Sequence, residues 1–163
     1  MLVLKPPANV IQLRFTDSSS GIFGRLIRWR TMGNVSHVEA VTSGGVIIAA
    51  LSGKGVVELP LDYDKTSTSQ IFVDIPATDW QIRWWEKYLC SRIGRPYDWD
   101  AIAGLALHTG WRRKGGFICS MLQALALREA KVFPHPLSEP AHEITPRDLL
   151  LMLSAQYPLR KDA

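Results

Sequence analysis

The order of strand-like and helix-like segments constrains this chain more than any other feature. Strand-like segments, rich in β-branched and aromatic residues, come early, at 10–15, 36–42, 46–51, 56–61 and 70–76. Segments with helical hydrophobic spacing follow at 79–93, 98–107, 118–130 and 145–156, and a short helix is predicted over 17–31. This segregation predicts an α+β fold, with helices packed against one antiparallel sheet of about four to six strands.

Length and composition fit a single globular domain over 1–163. A chain of 163 residues can build one core and has little room for two. Hydrophobic residues make up 47% and charged residues 21%, which is a globular rather than a disordered balance. The net charge of +4 is modest, so no nucleic-acid partner is expected. The basic clusters at 25–30 and 112–114 are interpreted as solvated surface.

Cysteine usage and hydropathy bear on cofactors and location. The two cysteines, Cys90 and Cys119, are too few for a disulfide framework, and no Cys/His pattern has zinc-site spacing. No motif for a metal or organic cofactor occurs, so none is expected. The sequence has no apolar run of about 18 residues and begins with a poor signal peptide. We therefore expect a cytoplasmic protein with reduced thiols and no membrane span.

Helix-start signals mark two of the late segments. Thr78 and Gln81 have the spacing of a capping box before the helix over 79–93. Thr145 is expected to cap the last helix, with Pro146 at its first position. The aromatic stripe in the first of these helices is interpreted as core, and it comprises Trp80, Trp84 and Trp85.

Cys119 is the candidate nucleophile. It stands where the glycine-rich "GGFI" leads into an apolar helix. The unpaired N–H groups and the dipole at a helix N-terminus lower a thiol pKa, and the same groups can stabilise an oxyanion. The alternative is a buried structural cysteine. Cys90 lies away from any helix start and is expected in the core.

His37 is the candidate base. It lies at the start of a strand, and strand alternation places His37 and Glu39 on one face, within about 7 Å along the strand. If that face meets the Cys119 helix, the site contains a nucleophile, a base and an acidic orienting residue. The alternatives are a half-buried structural histidine and a solvent-facing glutamate.

Three further residues are candidates for substrate contacts. Ser36 and Ser120 are the chain neighbours of His37 and Cys119, and Tyr97 could supply a phenol hydrogen bond. Tyr97 belongs to "GRPYDWD", which joins two predicted helices. In the same stretch Asp98 is expected to cap the next helix.

Four segments in this order are informative together: "TMGNVSHVEAV", "GGVIIAALSGKGVVELPLDY", "GRPYDW" and "GFICSMLQALAL". They resemble the circularly permuted branch of the NlpC-type papain-like cysteine hydrolase superfamily, in particular its YiiX-like and prophage-encoded members. Lecithin:retinol acyltransferase is a more distant relative. In this branch the histidine strand precedes the cysteine helix, and here His37 precedes Cys119. The resemblance spans roughly 10–130 and implies a permuted papain-like fold.

By position, the resemblance makes Cys119 the nucleophile, His37 the general base and Tyr97 a tyrosine near the pocket. Two positions depart from it. The third polar residue usually lies on the strand after the histidine, where this chain reads "VIIAAL", and we expect Glu39 to replace it. Relatives often read Cys-Ser-Glu, and Met121 stands here at the glutamate position.

The expected function is a cysteine amidase or peptidase that acts through a thioester acyl-enzyme. Its substrate would be a small amide, a peptide or another acyl compound. One alternative is an acyltransferase or lipid deacylase of the same fold. Another is a non-catalytic binding or phage-associated protein.

Overall fold

The structure, a computed structural model, describes residues 6–17, 35–63, 70–107, 109, 111 and 113–162. Its strands are β1 (Val10–Thr16), β2 (His37–Val41), β3 (Val46–Leu51), β4 (Gly55–Pro60), β5 (Gln70–Pro76) and β6 (Leu159–Asp162). The helices among these residues are α1 (Asp79–Cys90), α2 (Trp99–Leu107), α3 (Cys119–Glu129) and α4 (Pro146–Ser154). The helix predicted over 17–31 falls, apart from Asp17, outside the described residues.

The six strands form one sheet in the order β4-β3-β2-β1-β5-β6, and every pair in it is antiparallel. The expected α+β arrangement is therefore confirmed. The hairpin between β2 and β3 turns at Gly45, whose φ of 79° favours glycine. The Thr42 hydroxyl braces this turn, because it donates to the Val46 carbonyl at 3.0 Å and accepts from the Val46 N–H at 3.3 Å.

Strand β6 was not predicted. It pairs with β5, with Leu159 opposite Val73. Its sequence, "LRKD", has no apolar alternation, and its pairing partner lies far away along the chain. A strand of this kind is formed by backbone pairing at a sheet edge, which hydrophobic periodicity does not reveal.

Both predicted helix caps are confirmed. Thr78 and Gln81 form a capping box at the start of α1. Thr145 forms a second box with Asp148, and Pro146 opens α4 as expected. The end of α1 was predicted too late, at 93. The helix stops at Cys90, because residues 91–94 turn away and Gly94 has a φ of 85°.

The main core lies between one face of the sheet and the helices, and this face is called the apolar face below. Ile11, Leu13 and Phe15 of β1 are fully buried in it. Helix α3 packs across β2 and β3, with Leu122 fully buried. Helix α1 contributes Trp85 and Leu89, one helical turn apart.

Two predictions about α1 were wrong. Trp80 and Trp84 are each 42% exposed, and only Trp85 of the aromatic stripe is in the core. Cys90 is exposed rather than buried. Since Trp85 and Leu89 face the core, residues that are offset by about 100° around the helix face outward.

The opposite face of the sheet is also buried along β1, but the residues there are polar. Gln12, Arg14 and Thr16 alternate along β1 with the core residues, and each is 1% exposed. Opposite them on β2 lie Glu39, paired with Arg14, and His37, paired with Thr16. We call this row the polar face. A small apolar cluster borders it, formed by Val41, Ile47, Ala49 and Phe72.

Candidate active site

Cys119 is the first residue of α3, and the segment before it is held by backbone bonds. The Phe117 N–H donates to the Pro96 carbonyl at 3.0 Å, and the Asp98 N–H donates to the Phe117 carbonyl at 3.1 Å. A Cβ atom at Gly116 would lie 3.0 Å from the Asp98 Cβ atom, which is tighter than an ordinary contact, so glycine fits best at this position. This close crossing fixes the entry into α3.

Asp98 has the structural role that the sequence predicted. Its buried carboxylate accepts the Ala101 N–H at 2.8 Å, in the first turn of α2. The same carboxylate accepts the Arg113 N–H at 2.9 Å, which ties the loop before α3 to the start of α2. Asp98 therefore caps one helix and helps to position the next.

The start of α3 lies beside the start of β2, which brings Cys119 to His37. Cys119 is 3% exposed. Its sulfur accepts hydrogen bonds from the backbone N–H groups of Val38 and Ser120, and it also forms a hydrogen bond with the His37 ring. Burial raises the pKa of the Cys119 thiol. The positive charge and hydrogen bond of His37, followed by the two N–H groups, outweigh burial and hold the pKa below its ordinary value of 9.0.

His37 shows the opposite shift. Burial lowers its pKa, but the charge and hydrogen bond of Cys119, and then the Glu39 carboxylate, raise the pKa to about 10. A thiol with a lowered pKa beside an imidazole with a raised pKa is the electrostatic signature of a thiolate–imidazolium pair. The arrangement can supply a nucleophile and a proton donor at neutral pH.

Glu39 lies next to His37 on the polar face, as the strand alternation predicted. The His37 Nε2 and Glu39 Oε2 atoms are 3.6 Å apart, an ion-pair distance rather than a direct hydrogen bond. Burial raises the pKa of the Glu39 carboxyl. The neighbouring His37 imidazolium, with smaller contributions from Arg14 and Tyr63, lowers it below the ordinary value of 4.5.

Arg14 and Tyr63 hold the Glu39 carboxylate, and sequence reasoning missed both. The Arg14 Nε donates to Glu39 Oε1, and the Tyr63 hydroxyl donates to Glu39 Oε2 at 2.6 Å. A signal for Arg14 was present, since polar residues alternate with apolar ones in "VIQLRFT". Nothing in the sequence around Tyr63 indicated its contact, because the loop after β4 brings it there.

Of the three candidates for substrate contacts, Tyr97 and Ser120 lie beside Cys119, and Ser36 precedes His37 in the chain. Burial, followed by the negative charges of Cys119 and Asp98, raises the pKa of the half-buried Tyr97. The Ser120 side chain is fully buried, and its N–H points at the Cys119 sulfur. Ser36 is also buried, and its N–H donates to the Thr16 carbonyl at 3.0 Å. Their contacts with a substrate stay a prediction.

The second cysteine has none of these features. Cys90 is exposed at the end of α1, and burial of part of its surface, followed by the charges of Glu58 and Glu86, raises its pKa. Cys90 is thus an exposed thiol whose pKa is shifted in the direction opposite to that of Cys119, and it provides an internal reference.

The donor set at this site does not fit a metal ion. Within the described ranges, no group of three or more His, Cys, Asp or Glu side chains is arranged to hold one. Glu39 is already bonded to Arg14 and Tyr63.

In the described part of the chain, no helix combines the length and the apolar character that crossing a bilayer requires.

Comparison with known proteins gives a likeness of structure. No family model matches the sequence, and no curated protein sequence matches it either. Among solved structures, the crystal structure of the metalloprotein YiiX from Escherichia coli O157:H7 (DUF1105) is similar to this chain. The likeness covers 98% of each chain with a TM-score of 0.68, at 13% sequence identity. The α+β structure with its six-stranded antiparallel sheet is therefore a YiiX-like fold.

Proposed function

We propose that this chain is a cysteine-dependent hydrolase of the amidase or peptidase type, with a circularly permuted papain-like fold. The observation that carries the proposal is the pairing of Cys119, at the first residue of α3, with the His37 ring. Their pKa values are shifted in opposite directions, which favours the thiolate and the imidazolium together. The likeness to YiiX, which covers 98% of each chain, agrees with the resemblance of the sequence to YiiX-like members of this superfamily.

The chemistry begins with the Cys119 thiolate. Its sulfur attacks the carbonyl carbon of an amide or ester, and the carbonyl electrons move to oxygen. Ile118 stands at the N-cap of α3 and provides no side-chain hydrogen bond to the first turn. The Cys119 backbone N–H can therefore bind the oxyanion.

His37 then moves the protons. The imidazolium gives its proton to the leaving nitrogen or oxygen as the carbon–leaving-group bond breaks, and a thioester to Cys119 remains. Neutral His37 next takes a proton from water, whose oxygen attacks the thioester. The acid product leaves, and the thiolate and the imidazolium are restored.

Glu39 orients the ring in this scheme. Its Oε2 faces the His37 Nε2 atom, so the other ring nitrogen is left for Cys119. A carboxylate in this position stabilises the imidazolium, because it sits in a buried environment where charges interact strongly. Glu39 thus takes the place of the third polar residue that "VIIAAL" lacks.

Acylation by p-nitrophenyl acetate tests the proposal. We expect a burst of p-nitrophenolate, an acetyl group on Cys119 by peptide mass spectrometry, and slower turnover to acetate. Cys119→Ala should abolish the burst and the turnover. Cys90→Ala is the matched control and should leave both unchanged. A burst that survives in Cys119→Ala, or an acetyl group that accumulates on Cys90 instead, would contradict the proposal.

Lipid deacylation or acyl transfer is the second candidate. It is favoured by Trp80 and Trp84, which are 42% exposed on α1, with the Lys87 ammonium 4.6 Å from the Trp84 ring. Exposed indoles beside cationic groups suit the interface of a lipid surface. Product analysis with short peptides and with phospholipid vesicles separates the two candidates, because each predicts acid release from only one of these substrates.

A further inference from the structure

Arg14 is a buried charge that the proposed mechanism does not use. Its side chain is 1% exposed on the polar face, opposite Glu39. Besides its bond to Glu39, its Nη1 donates to the Leu61 carbonyl at 3.2 Å, and the guanidinium lies 5.5 Å from the centre of the Tyr63 ring. Removing a guanidinium from water is costly, and well-packed apolar residues often stabilise a fold better. A role in the chemistry would explain why an arginine stands there.

The contacts of Glu39 show what Arg14 can do. The two carboxylate oxygens are divided between partners: Oε1 binds Arg14, and Oε2 faces both Tyr63 and His37. Arg14 is itself anchored at Leu61, so the carboxylate is clamped from the side away from the histidine. The clamp leaves one oxygen turned towards the His37 ring.

The charges of four buried groups, which are Cys119, His37, Glu39 and Arg14, also balance. With a thiolate at Cys119 and an imidazolium at His37, the carboxylate of Glu39 and the guanidinium of Arg14 bring the sum to zero. The sum stays zero when the proton moves between Cys119 and His37. Without Arg14 the other three groups would carry one net negative charge, and burial disfavours such a charge. A proton bound to Glu39 would remove it.

Within the described part of the chain, the groups that face Glu39 come from three places: Arg14 on β1, His37 on its own strand and Tyr63 in the loop after β4. Farther along this face, Asp74 on β5 has its own partners. It accepts from Gln12 at 2.6 Å, and its Oδ2 lies 3.8 Å from the Arg160 guanidinium. Arg14 is therefore the cation that balances Glu39.

We propose that Arg14 is a positioning residue of this site, which keeps Glu39 ionised and oriented so that Glu39 can support the His37 imidazolium. This inference rests on the proposed function. Arg14 touches neither Cys119 nor the reacting atoms, and it acts only through Glu39.

The experiment follows the alkylation of Cys119 by iodoacetamide against pH, with Cys90 of the same molecule as the reference. In Arg14→Met we expect the midpoint of the Cys119 profile to move up towards that of Cys90. Alkylation at neutral pH should fall by about tenfold or more, since one unit of pKa is a tenfold change in the thiolate fraction. Arg14→Lys keeps the charge and should restore most of the reactivity.

A second comparison stands even if Arg14→Met fails to fold. Arg14→Met/Glu39→Gln removes both charges, so it leaves no unpaired buried ion and is expected to fold. If Arg14 acts only through Glu39, this double variant and Glu39→Gln have the same Cys119 profile. A further upward shift in the double variant would show a direct effect of Arg14 on Cys119 and overturn the inference.

The outcomes separate this inference from the proposed function. If wild-type Cys119 titrates like Cys90, the proposed function fails and the inference falls with it. If wild-type Cys119 has a low midpoint that folded Arg14→Met retains, the inference alone is overturned. A midpoint that rises in Arg14→Met and returns in Arg14→Lys supports both.

Discussion

Along β1 the two faces of the sheet are buried to nearly the same extent, but they are held by different forces. Along β1, Ile11, Leu13 and Phe15 pack under the helices, while Arg14 and its polar neighbours point to the other side. Burial of apolar surface is non-directional and contributes about 25 cal/mol per Å². The polar face depends instead on particular partners for each charge.

This difference separates stability from chemistry. An apolar core tolerates exchange between side chains of similar volume, because dispersion and hydrophobic contacts need no specific geometry. A buried carboxylate tolerates no such exchange, since its neighbours are charged and oriented for it. We therefore expect substitutions on the apolar face to change unfolding alone, and substitutions on the polar face to change both unfolding and the reactivity of Cys119.

The largest effect is expected for Glu39→Ala. It leaves the Arg14 guanidinium buried without its carboxylate, and breaking a buried pair in this way costs about 3–5 kcal/mol of unfolding free energy. Urea unfolding measures the loss. Arg14→Met/Glu39→Leu should recover most of the stability without recovering the reactivity of Cys119. A loss below about 1 kcal/mol in Glu39→Ala would show that water reaches the polar face.

A core substitution on the apolar face sharpens the comparison. Leu122 is fully buried on α3, and Leu122→Ala should cost about 2–5 kcal/mol through lost transfer energy and a cavity. The alkylation profile of Cys119 should not move, although both residues belong to α3. A shifted midpoint in the folded variant would mean that the two faces are not independent.

The pH dependence of stability is expected to be smaller. The pKa of His37 rises on folding from 6.5 to about 10, so its contribution is full below pH 6.5 and is lost as the pH rises through 10. The pKa of Cys119 falls from 9.0, so its contribution is full above pH 9.0 and is lost as the pH falls through the lowered value. The pKa of Glu39 falls from 4.5, so its contribution is full above pH 4.5 and is lost at lower pH.

These opposite slopes cancel above the lowered pKa of Cys119, so they predict a level region of stability that extends up to about pH 9, with a decline at higher pH. The alkaline decline should be at most about 1.4 kcal/mol per pH unit for a single group. Urea midpoints across this range measure the curve. Cys119→Ser removes the thiolate that chiefly raises the pKa of His37, so the decline at alkaline pH should shrink. A wild-type curve that falls steadily from pH 6.5 upward would contradict a thiolate partner for His37.

The smallest effect is expected for Tyr63→Phe. It removes the hydrogen bond of 2.6 Å to Glu39 Oε2 and keeps the ring beside Arg14. Loss of a hydrogen bond to a charged group should cost about 1.5–3 kcal/mol, at the lower end here because Arg14 still holds the other oxygen. The loss of stability at acid pH, which is the acid limb of the curve, should become smaller, because Tyr63 no longer helps to lower the pKa of Glu39. An unchanged acid limb would show that Tyr63 does not stabilise the carboxylate.

Local patterns were sufficient for much of this fold. Five of the six strands follow from β-branched runs, and the boxes at Thr78 and Thr145 follow from cap chemistry. The position of Cys119 at a helix start and the shared face of His37 and Glu39 also follow from local spacing. Each of these depends on residues that are close in sequence.

The remaining features depend on long-range packing. Strand alternation shows which residues share a face, but it does not give the register that sets Arg14 opposite Glu39. Helical periodicity likewise groups Trp80 with Trp84 and Trp85 with Leu89, but it does not say which pair the sheet covers. The exposed Cys90 and the pairing of β6 were missed for the same reason.

The most direct test of the account is the alkylation of Cys119 against pH, compared with Cys90 in the same molecule and with His37→Ala. Midpoints are compared rather than rates, because Cys119 is buried and access limits its rate. We predict a Cys119 midpoint well below that of Cys90, and its rise to that of Cys90 or higher in His37→Ala, because burial raises the pKa of a thiol that has lost its cationic partner. A Cys119 midpoint at or above that of Cys90, or one that His37→Ala leaves unchanged, would contradict the thiolate–imidazolium pair.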